Sequence, residues 1–283
     1  MFVKVGDRIK VSDLLRGIIV QSGNDACIVV AEALGGSEDA FAEMMTRQAK
    51  ELGMTNSRFA NATGWPHPDH YMSARDLAVL AERLITDFPE LYKLYAEKTF
   101  TYSKIKQSNR NPLLYREIGA DGLKTGHTEE AGYGLTASAI RDDRRIVMVL
   151  NGMESIRQRS QESLRVMEWA FRTFKPYALF KKDEVVTKAD IWLGDAPAVP
   201  LTISQDLKLT LSREARDRMK VTVKMNNPVA APVTKGQKLA TLVISAPNFE
   251  TREIPLLAAD NVGQLGFVGR IGAAIKHVLW GSS

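Results

Sequence analysis

The first 175 residues combine helical and strand-like hydrophobic patterns. Apolar residues recur at helical spacing on both sides of the turn Ser22-Gly23-Asn24, and again after Ser37 and Ser73. A serine before an apolar run is a typical helix cap, and Ser12 is a further candidate for the first helix. The pattern predicts helices over residues 13–20, 25–34, 38–52, 74–84 and 155–174, and paired strands over 133–140 and 145–152.

Residues from about 181 to 262 have a different pattern, in which short apolar runs are separated by proline, glycine and asparagine turns. This pattern favours strands. The predicted strands cover residues 185–192, 199–203, 207–211, 221–225, 238–244 and 250–256. We therefore predict an α+β protein, with a helical cluster and antiparallel sheet over residues 1–176 and a small β-sandwich over residues 177–262.

Residues 263–283 predict an amphipathic helix. Apolar residues follow helical spacing there, and three basic residues are interspersed among them. Those charges argue against a membrane-spanning helix, whereas a helix lying in the membrane interface with Trp280 at its end fits. A helix packed on the β domain is the alternative. The apolar positions are Val268, Ile271, Ile275, Val278 and Leu279, and the basic ones Arg270, Lys276 and His277.

Charge and metal-ligand patterns exclude several functions. The net charge is +5, but Lys and Arg are scattered beside acidic residues, which does not favour nucleic-acid binding. The single cysteine, Cys27, cannot form an intrachain disulfide and lies in an apolar run that indicates a buried position. His67 and His70 could form half of a metal site, yet the prolines beside His67 favour a rigid loop and no further cluster supplies ligands. We expect neither a metal nor a cofactor.

Two short motifs carry the candidate chemistry. Lys124-Thr125-Gly126 precedes the predicted pair of strands, and Ser22-Gly23-Asn24 lies between two predicted helices. A lysine supplies positive potential, a threonine hydroxyl can bind a substrate carboxylate, and a glycine lets an extended ligand approach closely. Each motif alone is weak, and a solvated strand end or a structural turn would explain it equally well.

Together these motifs resemble two of the three that active-site serine penicillin-binding proteins share. Further similarity to the low-molecular-weight D-alanyl-D-alanine carboxypeptidases lies in residues 15–18, 73–77 and 109–111, and it continues to the C-terminal segment. The resemblance implies a transpeptidase-like fold for residues 1–176 and inhibition by β-lactam antibiotics. It also implies a periplasmic protein held at the inner-membrane surface through residues 263–281, with a signal peptide expected upstream.

The resemblance further implies a reaction and a set of catalytic roles. A serine would attack the D-Ala-D-Ala bond of a peptidoglycan stem peptide and release D-alanine, and water would then hydrolyse the acyl-enzyme. Ser22 would relay protons near the substrate nitrogen, and Asn24 would hold the substrate amide. Lys124 would stabilise charge and assist proton transfer.

The same resemblance implies four substrate-binding residues. Thr125 and Arg110 would bind the terminal carboxylate of the peptide. Gly126 would lie against its extended backbone, and His127 would have a supporting role.

The family's nucleophile belongs to a Ser-x-x-Lys motif that is expected well before Ser22. Within the chain only Ser103 and Lys106 match this motif, and they lie in an alternating stretch that predicts a strand. Positions i and i+3 of a strand face opposite sides, so this pair cannot serve. The sequence therefore predicts a carboxypeptidase chain that lacks its nucleophile and is inactive alone. Two alternatives stay open: a non-catalytic cell-wall-binding or scaffolding protein and, less favoured, a β-lactamase.

Overall fold

The computed structural model describes residues 1–266 and residue 269. It divides into two compact units, Met1–Phe171 and the residues from Arg172 onwards. Most of the amphipathic helix predicted over 263–283 lies outside the described residues. Among the helices that the structure does describe, none is both long and apolar enough to cross a bilayer.

The first unit contains a cluster of helices and three small antiparallel sheets. The largest sheet has three strands in the order β5-β6-β7. The strand pairs β1-β2 and β3-β4 form the other two sheets. Its helices are α1 (Val11–Gln21), α2 (Asn24–Gly35), α3 (Glu38–Glu51), α4 (Ala74–Asp87), α5 (Pro89–Tyr92) and α6 (Ile156–Thr173), with 3-10 turns at Lys93–Ala96 and Pro112–Tyr115. Its strands are β1 (Ser57–Arg58), β2 (Tyr71–Met72), β3 (Thr99–Tyr102), β4 (Ile105–Ser108), β5 (Ala120–Thr128), β6 (Gly132–Arg141) and β7 (Arg144–Met153).

Local capping explains where two of these helices begin. The hydroxyl of Ser37 accepts a hydrogen bond from Ala40 N at 3.2 Å, and that of Ser73 accepts one from Asp76 N at 3.1 Å, which confirms both predicted caps. The predicted cap at Ser12 is wrong. Helix α1 begins at Val11, two residues before the predicted start, and its cap position, Lys10, offers no side-chain hydrogen bond.

A compact apolar core lies between the three-stranded sheet and helix α6. Leu135 and Ala137 on β6 and Met148 on β7 pack there with residues of α6. Because Met167 and Leu113 are fully buried in the same cluster, the sheet is fixed on this side. Strand β5 is an edge strand of this sheet: among the described strands it pairs with β6 alone, so one side of β5 has no strand partner there.

The second unit is mainly β-structure, with two sheets around one core. A six-stranded sheet has the order β12-β14-β15-β10-β9-β13, and β8 and β11 form a separate antiparallel pair. Leu209 of β11 and Leu242 of β14 belong to the same buried cluster, so the sheets share a core. The elements are β8 (Phe174–Phe180), β9 (Val185–Trp192), β10 (Ala198–Thr202), β11 (Leu207–Ser212), α7 (Arg213–Asp217), β12 (Lys220–Met225), β13 (Val229–Ala230), β14 (Lys238–Ala246) and β15 (Phe249–Ala258).

One boundary prediction is wrong. Helix α6 ends at Thr173 rather than at Phe174, and strand β8 follows at once with Pro176 inside it. A proline lacks the N–H that a central strand needs, but β8 has a neighbour on one side only, where proline is tolerated. Phe174, predicted as the last residue of the helix, is therefore the first residue of β8.

Candidate active site

The turn between α1 and α2 presents Ser22 in an unusual backbone conformation. Ser22 has φ 52° and ψ 47°, in the left-handed region that ends many helices and favours glycine. Gly23 N donates to the carbonyl of Gly17 at 3.0 Å and closes the end of the helix. A serine in this position costs about 1 kcal/mol of backbone strain relative to glycine. Strained residues of this kind are concentrated at functional sites.

Strand β5 places the lysine of the second motif against this turn. Lys124 Nζ donates a short hydrogen bond to Ser22 Oγ, although 102 residues separate the two in sequence. The same ammonium group donates to the carbonyl of Thr125 at 2.9 Å. The structure therefore brings the Ser-Gly-Asn turn and the Lys-Thr-Gly strand into direct contact.

Burial and neighbouring cations perturb Lys124. Desolvation, together with the positive charges of Arg110 and Arg159, lowers the pKa of Lys124 from 10.5 to about 8. The electrostatic interaction with Cys27 raises this pKa and offsets part of the lowering. A lysine with this pKa can give up and regain a proton near neutral pH, which is what a proton-transfer group requires.

Arg159 is a site residue that the sequence analysis missed. It lies on α6, is only 5% exposed, and its Nε has no hydrogen-bond partner among the described residues. Its guanidinium carbon lies 5.6 Å from the centre of the Tyr133 ring. Burial and, to a smaller extent, the charge of Arg110 lower the pKa of Arg159. The interaction with Tyr133 raises it and so offsets part of that effect. An unsatisfied buried guanidinium facing other cations is a strong anion-binding group.

In the described part of the chain, no carboxylate neutralises the cation cluster of Lys124, Arg110 and Arg159. None of the three forms an ion pair with a carboxylate there. Arg110 is exposed, and its side chain makes no hydrogen bond to another described residue. The cluster is therefore positive and free to bind a ligand carboxylate.

The remaining predicted residues lie around this contact without bonding to it. Asn24 is exposed at the first position of α2, and neither its side chain nor that of Thr125 has a hydrogen bond to a described residue. A Cβ added at Gly126 would meet nothing within 4 Å, so the space beside it is open to a ligand. His127 stacks on Tyr133, opposite it on β6, with ring centres 3.9 Å apart and planes 10° from parallel.

A network behind β5 fixes the strand that carries Lys124. Asp121 accepts hydrogen bonds from Arg145 Nη1 at 2.9 Å and from the Tyr92 hydroxyl at 3.0 Å, and its second oxygen lies 2.8 Å from Arg145 Nη2. Burial, followed by the charge of Asp121, raises the pKa of Tyr92, so its hydroxyl stays protonated as a donor. Two-point arginine–carboxylate contacts restrict orientation, so they hold β5 in place.

The other candidate groups lie in a hairpin and in a loop. Ser103 lies in the two-residue turn between β3 and β4, and Lys106 lies on β4, so the Ser-x-x-Lys match is not helical. His67 and His70 each accept a backbone N–H at Nδ1. No group of three or more potential metal ligands occurs in residues 1–266 and 269.

Family comparison agrees with this geometry. Residues 1–155 match the family model described as D-alanyl-D-alanine carboxypeptidase, over more than half of the chain. The chain belongs to the D-alanyl-D-alanine carboxypeptidase family. Residues 174–264 match a second model, described as the C-terminal domain of penicillin-binding protein 5. The resemblance inferred from the two motifs is thereby confirmed.

Named relatives and solved structures support the same assignment. The chain is 38% identical over 273 residues to the D-alanyl-D-alanine carboxypeptidase DacC of Escherichia coli K12, covering 96% of this chain and 68% of the relative. It is similar to penicillin-binding protein 5 from Haemophilus influenzae, with a TM-score of 0.80 and 34% identity, covering 93% and 78% of the two chains. Penicillin-binding protein D2 from Listeria monocytogenes in its ampicillin-bound form matches at a TM-score of 0.54 and 31% identity, covering 59% and 70%. The chain therefore has a transpeptidase-like α+β fold.

Proposed function

We propose that this chain binds the D-Ala-D-Ala end of peptidoglycan stem peptides and takes part in removing the terminal D-alanine. The contact of Lys124 with Ser22 carries this proposal. It joins a lysine of lowered pKa to a hydroxyl that can pass a proton to the leaving nitrogen. Asn24, exposed next to Ser22, would hold the substrate amide.

The terminal carboxylate is the feature that a carboxypeptidase has to recognise. We assign this recognition to the Thr125 hydroxyl and to the guanidinium groups of Arg110 and Arg159. A guanidinium binds a carboxylate in two-point geometry, which gives both strength and orientation. Gly126 leaves room for the extended peptide, and the stacked rings of His127 and Tyr133 would form one wall of the site.

Acylation, in this proposal, requires a Ser-x-x-Lys segment on a helix, and the one match within the 283 residues, Ser103 to Lys106, is not helical. Ser103 lies in a hairpin turn, where it cannot pair with Lys106 as a helical dyad. Ser22 donates or accepts protons beside Lys124 and assists the attack. A β-lactam carries a carboxylate next to its reactive carbonyl, so the same cations would bind it as they bind the peptide.

Arg110→Ala tests the carboxylate assignment. We expect about a 10-fold to 100-fold weaker affinity for a D-Ala-D-Ala peptide with a free C-terminus, because a charge-assisted hydrogen bond to a carboxylate is lost. The affinity for the C-terminal amide of the same peptide should change little. Isothermal titration calorimetry of the 283-residue chain with both peptides measures the difference.

Arg116→Ala is the matched control, because it removes the same charge from an exposed arginine in the neighbouring loop. Arg116 is not one of the cations that lower the pKa of Lys124. It should leave the affinities for both peptides unchanged. Equal losses for acid and amide in Arg110→Ala would show that Arg110 does not recognise the carboxylate.

We further propose that residues 263–281 hold the protein at the inner-membrane surface on the periplasmic side. Their apolar residues would enter the interface, and Arg270 and Lys276 would be attracted to anionic lipid. The full chain should therefore sediment with phosphatidylglycerol vesicles at low salt and less at high salt. A chain ending at residue 262 should stay in the supernatant while keeping its circular dichroism spectrum. Undiminished sedimentation of the shortened chain would reject the anchor.

A further inference from the structure

Two buried asparagines flank Arg110 and connect it to the strand that carries Lys124. Asn111 is fully buried and Asn109 is 6% exposed, although both lie in a loop. Buried amide side chains are costly unless they are hydrogen-bonded, and both are. We call Asn109 and Asn111 the asparagine clamp.

Asn111 forms the link to β5. Its Nδ2 donates to the carbonyl of Gly122 at 2.9 Å, two residues before Lys124 on the same strand. Its Oδ1 accepts from Leu113 N at 3.0 Å and so caps the following 3-10 turn. One side chain therefore fixes both the loop after Arg110 and the distance of that loop from β5.

Asn109 links the Arg110 loop to helix α1. Its Oδ1 accepts from Asn111 N at 2.9 Å, and its Nδ2 donates to the carbonyl of Glu97 at 3.0 Å. The Glu97 carboxylate in turn accepts from Arg16 Nε on α1 at 2.9 Å. Because Ser22 is the cap residue that follows α1, the clamp lies in a continuous set of contacts from this helix to the Lys124 strand.

Arg110 depends on this arrangement. Its side chain makes no hydrogen bond to another described residue, so only its backbone defines where the guanidinium begins. The two asparagines immobilise that backbone on both sides. A displacement of about 1 Å in such a group can change substrate recognition by up to 100-fold.

We propose that the asparagine clamp, and Asn111 in particular, positions Arg110 against Lys124 and thereby sets the preference of the site for a free carboxylate. Asn111 is a positioning residue, since it acts through Arg110 and the Gly122 backbone and does not touch the ligand. This inference rests on the proposed function, because it assumes that Arg110 recognises the terminal carboxylate.

The test compares four forms of the 283-residue chain: wild type, Asn111→Ala, Arg110→Ala and the double variant. Calorimetry gives the ratio of the affinity for the free-acid D-Ala-D-Ala peptide to that for its amide. Asn111→Ala should lower this ratio about tenfold, since Arg110 is no longer held in place. In the Arg110→Ala background the same substitution should have no further effect on the ratio, because its target is gone.

Ser57→Ala is the control for a general loss of stability. Ser57 is buried in the same unit and donates to Asp76 Oδ2 at 2.7 Å, so its loss also breaks a buried polar contact. It should lower the melting temperature while the acid-to-amide ratio stays at the wild-type value. If Asn111→Ala does not fold, Asn111→Ser replaces it. The shorter hydroxyl can still accept from Leu113 N but does not reach the Gly122 carbonyl.

The possible outcomes distinguish failure of the proposed function from failure of the clamp inference. A wild-type ratio near one would reject the proposed function, and the clamp inference with it. A wild-type preference for the acid that survives in Asn111→Ala or Asn111→Ser would reject the clamp alone. So would an Asn111→Ala effect on the ratio that persists at full size without Arg110.

Discussion

Lys124→Met should make the protein more stable against unfolding. At pH 7 the buried lysine, with its pKa of about 8, is mostly charged beside Arg110 and Arg159. Methionine has a similar length and no charge, so the substitution removes the desolvation cost and the repulsion. It also removes the hydrogen bonds to Ser22 and Thr125, which offsets part of the gain. We expect a net gain of about 1–2 kcal/mol in the free energy of unfolding.

The gain should depend on pH in a defined direction. The pKa of Lys124 is about 8 in the folded chain, and the ordinary lysine value of 10.5 applies to the unfolded one. Between these values the unfolded state binds more protons, so the stability of the wild type rises as pH increases through this range. The advantage of Lys124→Met should therefore be largest below pH 8 and should shrink towards pH 10.5.

Calorimetric unfolding of the first unit at pH 6.5, 8 and 10 measures this effect. Lys93→Met is the control, because Lys93 is an exposed lysine of the same unit, where substitutions change stability by less than about 0.5 kcal/mol. A Lys124→Met variant that is less stable than the wild type at pH 6.5 would contradict the assignment of Lys124 as a buried lysine whose charge is destabilised by desolvation and neighbouring cations. A pH-independent difference would contradict it too.

Much of the fold was readable from local patterns. The caps at Ser37 and Ser73 depend on a side chain three residues from the N–H it accepts, so nearby sequence decides them. Strand β9 has the predicted bounds because its residues alternate along one half-buried strand. The change from α6 to β8 was missed, since its outcome depends on the pairing of β8 with β11, which lies far along the chain.

The site was only partly readable. The two motifs could be recognised, but nothing local indicates that Ser22 adopts a left-handed conformation or that it contacts Lys124 across 102 residues. The spacing of residues along α6 does contain a signal for Arg159. It shares the buried face of α6 with Ser163 and Met167 at four-residue spacing, and an arginine on the buried face of an amphipathic helix indicates a functional or paired charge.

Acylation by penicillin is the second prediction with a large effect. In the proposed function Ser22, Asn24 and Lys124 have assisting roles, and the nucleophile belongs to a Ser-x-x-Lys segment. Without an activated nucleophile, a constellation of this kind can still bind its ligand and stabilise charge, but no covalent intermediate forms. The 283-residue chain should therefore take up no label, whereas the same chain extended upstream to include Ser-x-x-Lys should be acylated completely.

Three outcomes are distinguishable. Labelling of the extended chain alone supports the carboxypeptidase, with Ser22 and Lys124 completing its site. Absence of label on the extended chain, combined with retained peptide binding, would favour the non-catalytic cell-wall-binding protein. Rapid turnover of the penicillin would favour a β-lactamase.

The intact mass of the 283-residue chain after exposure to penicillin tests most directly whether Ser22 and Lys124 assist a nucleophile that lies elsewhere. We expect an unchanged mass for this chain and an increase of one ring-opened penicillin for the extended chain, located on the serine of its Ser-x-x-Lys motif. The same increase on the 283-residue chain, mapped to Ser22 or Ser103, would show that the nucleophile is a residue to which we assign an assisting or structural role.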